Sequence, residues 1–157
     1  MTQIFEISRS AMDVEWRRME VIAQNMANAN TTRTPLGEPY QPLRLVSGPS
    51  MTGASSATAT TSTFSGMLKQ QTAALDPLAL KGVQVYGVER MTTAPRLVYE
   101  PSHPHADAKG FVAYPGIDHA GEMALMVKTS RVYEANVVAF NAARSMYMRA
   151  LDLGGKG

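Results

Sequence analysis

The sequence predicts a mainly α fold: long N- and C-terminal helices form an antiparallel coiled coil, joined by a small β-containing, partly flexible middle region. Three observations carry that reading. Near the N-terminus Phe5, Met12, Met19 and Met26 recur every seventh residue, with Ile22 and Ala29 in companion positions and Ile7, Ala11, Val14 and Val21 as a second line. Near the C-terminus Met123, Met126, Tyr133, Val137, Phe140, Tyr147 and Leu151 keep alternating three- and four-residue steps, interrupted by Ser130 and Arg144. Heptad spacing sustained over several turns is the pattern of helices wound on one another. The stretch between them instead carries turn residues, short alternating runs and a Ser/Thr-rich tract.

Taken in order, the first helix is expected over Ile4–Asn30, about 40 Å long at the α-helical rise. It stops in a run of Asn and Thr, whose side chains compete for backbone hydrogen bonds, and before Pro35, which disfavours a helical Thr34. Residues 1–33 therefore form the N-terminal helical segment, 34–116 the middle region and 117–157 the C-terminal helical segment, the two helices making one domain. In the middle, Tyr40–Val46 contains Pro42 and reads as an edge strand at best. Residues 47–66 read as a flexible linker, because Ser, Thr, Ala and Gly bury too little apolar surface to offset ordering entropy. Short strands are expected over Val83–Arg90, Arg96–Glu100 and Phe111–Tyr114, with a turn-rich loop from Pro101 to Gly110. Asp118 is placed to cap the second helix, Glu122 falls in its first turn, and Gly154-Gly155 ends it.

A second apolar stripe on the C-terminal helix, Val132, Ala135, Ala139, Ala142, Met146 and Leu153, runs beside the first. If the terminal helices pair within one chain, this stripe and its counterpart stay in water. The burial left over is about 10–15 kcal/mol, an upper figure because unfolded chains already bury some surface. An assembly partner is the natural cover, and the faces expected to carry it are Phe5, Met12, Val14, Met19, Ile22, Met26, Met126, Tyr133, Val137, Phe140, Met146, Tyr147 and Leu151. Trp16 reads as a packing anchor at a helix contact.

Composition removes several functions. The 157 residues contain no Cys, which excludes disulfides, Cys-ligated zinc and thiol nucleophiles. The net charge of +2 is spread along the chain, and no basic stripe interleaved with aromatics suits nucleic acid. Glu6, Arg9, Asp13 and Glu15 stand where a secretory signal would need an apolar core, and no apolar run is long enough to span a bilayer. Hydrolase, zincin and phosphate-loop motifs are absent. His103, His105 and Asp107, with Asp118 and His119 following, could in principle hold a divalent ion, but flanking Pro104 in a loop they read as a polar turn. No catalytic residue, metal ligand or cofactor is therefore expected.

The run Ile22–Thr34, with Asn25, Ala27, Asn28 and Thr32, resembles the N-terminal motif of the axial proteins of the bacterial flagellum. Gly82–Val88, Arg96–Val112 with Tyr99, His103, Pro104 and Gly110, Ser130–Val137 with Arg131, Tyr133 and Asn136, Asn141–Met146 and Ala150–Leu153 are similar, in order and spacing, to the proximal rod proteins of the basal body within that family (FlgC type). The resemblance covers the chain outside the stretch from Ser47 to Lys81. It implies a structural subunit for cell motility, not an enzyme, exported unfolded through the flagellar type III apparatus without a cleaved signal peptide. It further implies assembly with copies of itself and other rod proteins in the periplasmic part of the rod, within reach of peptidoglycan, where it transmits torque. A cytoplasmic coiled-coil adaptor or export chaperone is the alternative that the same helices allow.

Overall fold

The computed structural model describes residues 2–51 and 80–154. Helix α1 spans Thr2–Ala27 and helix α2 spans His119–Gly154, with strands β1 (Leu43–Met51), β2 (Leu80–Arg90), β3 (Arg96–Tyr99) and β4 (Phe111–Tyr114) between them. The mainly α class with a small β-containing middle is what the periodicity predicted.

Both helix ends follow local chemistry. Asp118 caps α2: its Oδ1 accepts from Ala120 N at 3.1 Å and its carbonyl from Glu122 N at 2.9 Å. α1 ends at Ala27, three residues short of the expected Asn30. Asn28 N still reaches Gln24 O at 3.1 Å, but Thr31 N then turns back to Asn28 O at 3.0 Å, as expected where Asn and Thr side chains compete for the backbone.

β1 and β2 form one two-stranded sheet, and β3 and β4 another. β1 begins only after Pro42, which has no N–H to donate, and it continues through Ser47–Met51 into the stretch read as linker. The remainder of that tract, 52–66, lies outside the described residues. β2 starts at Leu80, ahead of the expected Val83. β3 and β4 pair antiparallel with Leu97 opposite Ala113, Val98 opposite Val112 and Tyr99 opposite Phe111. Because side chains alternate across a strand, Val112 is fully buried on one face while Leu97, Tyr99 and Phe111 are exposed on the other.

The chain divides into two compact units, residues 1–14, 47–85 and 135–157 in the first and 15–46 and 86–134 in the second. Among the described residues the first buries Ser8, Val14 and Ala143. The second buries Glu15, Val21, Ile22, Asn25, Leu45, Val112 and Thr129.

Candidate assembly interface

In the second unit one fully buried site is built on a polar residue. Asn25, near the end of α1, is 1% exposed. Its Nδ2 donates to Leu43 O at 2.9 Å and to Glu122 Oε1 at 3.2 Å, while its Oδ1 accepts from Leu43 N at 2.8 Å and Tyr40 Oη at 3.1 Å. Two donors and two lone pairs are the full capacity of a carboxamide, so the side chain is saturated. It ties the last turn of α1 to the start of β1 and to the first turn of α2. The other oxygen of Glu122, Oε2, is buried with no hydrogen-bond partner. Burial of the ring, then the Glu122 carboxylate, push the Tyr40 hydroxyl above its ordinary range.

Almost three turns further back along α1, Glu15 is buried and its two oxygens accept from Arg18 Nη1 at 2.7 and 2.9 Å. That pairing keeps the buried carboxylate from standing alone, which would be costly. Beside it lies a cleft of about 350 Å³, its apolar lining including Val21, Leu43, Leu45 and Leu125, with Arg44 and Lys128 also on its wall.

The loop between β3 and β4 is held by its own side chains. Asp107 Oδ1 accepts from Lys109 N and Phe111 N, both at 2.8 Å, and Glu100 N donates to Gly110 O at 2.9 Å. Gly110 adopts φ +78, and a Cβ there would sit 2.9 Å from Tyr99 Cε2 and 3.1 Å from Pro101 Cβ. His103 Nδ1 accepts from His105 N at 3.1 Å, and His105 Nδ1 lies 2.8 Å from Thr32 Oγ1. Tyr114 donates to Glu100 Oε2 at 3.0 Å, and that bond, followed by burial, holds its phenol above the ordinary range. The His ring nitrogens facing the chain thus fasten the loop to itself and to the turn after α1.

In the first unit, the Phe5 ring meets Phe140 edge-on at 5.2 Å and Tyr147 at 6.4 Å. Such geometry places the positive edge of one ring on the negative face of another. Ser10 Oγ donates to Ile7 O at 2.8 Å and accepts from Val83 N at 3.1 Å. The neighbouring Gly82 adopts φ +114, and a Cβ there would collide with Ser10 Oγ. Strand and helix approach this closely because position 82 has no side chain.

Of the residues expected on assembly faces, Val14 and Ile22 are buried. Phe5, Met12, Met19, Met26, Met126, Tyr133, Val137 and Phe140 are half-buried, and Met146, Tyr147 and Leu151 are exposed. Trp16 lies against Tyr133 at 6.4 Å yet stays 56% exposed, so its contact covers less than a packing anchor implies. Of the motif residues, Asn28 Nδ2 donates back to Gln24 O at 2.9 Å and its Oδ1 accepts from Thr31 Oγ1 at 3.2 Å. Asn136 is half-buried, while Ala27, Tyr99, Pro104 and Arg131 are exposed. The link from Asn25 to Tyr40 and Glu122 was not read from the sequence. Its one signal there is an Asn three residues beyond Ile22 on the apolar side of α1, since a buried polar group needs partners.

Comparison with known proteins supplies the family context. Residues 5–33 match the family described as flagella basal body rod protein, and residues 108–153 match the flagellar basal body rod FlgEFG protein C-terminal family. The chain is 34% identical over 154 residues to the flagellar basal-body rod protein FlgC of Escherichia coli O6:H1, covering 98% of both chains. It is 38% identical to that of Bacillus subtilis strain 168, covering 94% of both. The FlgC of Borreliella burgdorferi is 30% identical, covering 94% of this chain and 93% of the relative.

Proposed function

Because the chain belongs to the FlgC family of flagellar basal-body rod proteins, structural proteins and not enzymes, we propose that it is a subunit of the proximal rod that assembles through its terminal helices. The observation that carries this is the bare end of α2: Met146, Tyr147, Met148, Leu151 and Leu153 are all exposed. A fully buried side chain of this kind contributes about 1.5–3 kcal/mol, so a neighbour covering several of them gains enough to offset part of the cost of association. An antiparallel course of the two helices is supported within the second unit, where Trp16 faces Tyr133 and the later Asn25 bonds the earlier Glu122.

On this reading the chain is exported unfolded through the flagellar type III apparatus, takes its place in the periplasmic rod near peptidoglycan, and passes torque to copies of itself and to other rod proteins. Residues 1–33 and 117–157 act together as the axial domain, with 34–116 as the outer part. The half-buried faces around Met19 and Phe140 are completed by neighbours, and coupling folding to binding suits a chain that travels extended. The cytoplasmic adaptor is not favoured, since the relatives are rod proteins over nearly their whole length.

The deciding experiment is electron microscopy of basal bodies purified from a strain lacking this chain, with and without complementation. Absence of the rod, restored by the wild-type chain and not by Phe140→Asp, is the expected result. Intact rods and normal flagella in the deletion strain would overturn the reading.

A further inference from the structure

The cleft of the second unit has chemistry that selects an occupant. Its floor is apolar, through Val21, Leu43, Leu45 and Leu125. Of the charged groups on its wall, Glu15 and Arg18 neutralise each other at 2.7 Å, and Glu122 is turned to Asn25 with its other oxygen buried. Arg44 and Lys128 remain exposed, and neither makes an ion pair among the described residues. An entering segment therefore meets apolar surface flanked by two uncompensated cations. A carboxylate between two aliphatic side chains fits both features.

The last turn of α2 carries that pattern. Leu151 is 53% exposed and Leu153 80% exposed. Successive helical side chains stand about 100° apart, so the two leucines point to opposite sides of the helix end with exposed Asp152 between them, and the segment enters a cleft end-on. Asp152 stands at the negative end of the helix macrodipole, and no basic residue lies in that turn to offset it. Cations supplied from outside the helix would relieve this unfavourable placement.

Resting on the rod-subunit reading above, we propose that the Leu151-Asp152-Leu153 end of one copy docks in the cleft of a neighbouring copy, with Asp152 facing Arg44 and Lys128. The contact joins two different surfaces. Repeated head to tail without closing into a ring, it generates a helical stack.

Because the chain contains no Cys, single cysteines report this contact without background. A strain lacking its own copy is made to express Lys128→Cys and Asp152→Cys together, and isolated basal bodies are oxidised and run on a non-reducing gel. A disulfide-linked dimer of the two variants is expected in the mixture and in neither single-variant strain, since cysteines bridge only when their Cα atoms come within about 7 Å. Separately, Asp152→Lys should abolish swimming while leaving export intact, and adding Lys128→Asp should restore it. Assembled basal bodies without the mixed dimer, a cysteine at position 128 that links to another rod protein instead, or normal swimming of Asp152→Lys would each overturn the contact. The deletion strain separates the two readings: rods lost there while Asp152→Lys swims normally means that only the docking contact is wrong.

Discussion

The first turn of α2 and its last turn make opposite use of one helix. At the first turn, Glu122 joins a buried polar knot in which Asn25 spends every donor and acceptor it has. At the last turn, Leu151 and Leu153 turn most of their apolar surface to water, 53% and 80% exposed. Hydrogen-bonded groups at one end fix geometry, because each lost bond leaves a buried partner orphaned. Apolar groups at the other end are non-directional, and they can wait for whatever neighbour excludes water. A subunit that must keep one internal shape while meeting neighbours gains from separating the two.

Asn25→Asp should break the contrast most severely. The substitution keeps the shape but replaces the two N–H donors of Nδ2 with a single acceptor oxygen facing Leu43 O and Glu122 Oε1, and a loss on the order of 3 kcal/mol or more is expected from the urea-unfolding midpoint of purified protein. Stability unchanged in that variant would mean that the knot does not hold the second unit together. Gly110→Ala comes next, since the new Cβ meets Tyr99 and Pro101 at a φ of +78; about 1–3 kcal/mol should be lost, with faster amide exchange along β3 and β4.

Tyr40 sharpens the polar side through pH. Its hydroxyl ionises above the ordinary value of 10.0, so below that pH both folded and unfolded chains keep the proton and the group contributes fully. As pH rises past it, the unfolded chain loses its proton first, and stability falls until the folded value is passed. Tyr40→Phe should therefore cost about 1 kcal/mol at neutral pH and flatten this alkaline decline, read from unfolding midpoints between neutral and strongly alkaline buffers. An equal alkaline decline in both proteins would assign it to other groups. The smallest effect on the monomer belongs to Leu151→Ser, which should stay within about 0.5 kcal/mol of wild type while swimming is lost. A large drop in monomer stability would show that the end of α2 is already covered within the chain.

Helix positions were legible in the sequence because capping is local: Asp118 before His119, Asn and Thr beyond Ala27, and heptads between. The strand pair Arg96–Tyr99 and Phe111–Tyr114 was legible for a similar reason, its connecting loop being rich in turn residues. β1 was not. Ser47-Gly48-Pro49-Ser50 has weak strand preference, and pairing with β2, whose residues lie far along the chain, overrides it.

By itself the sequence determined that two amphipathic helices flank a β-containing middle, because periodicity and capping act over a few residues. Only the tertiary structure decided which face of α1 goes inward. The most buried line there runs through Ser8, Glu15 and Ile22 with Val14, Val21 and Asn25 beside it, and half of these side chains are polar. The burial of Glu15 and Asn25 is tolerable because Arg18, Leu43, Tyr40 and Glu122 arrive with matching groups, two of them from the start of β1 and the residues before it and one from the first turn of α2. No local pattern can announce a partner 97 residues away.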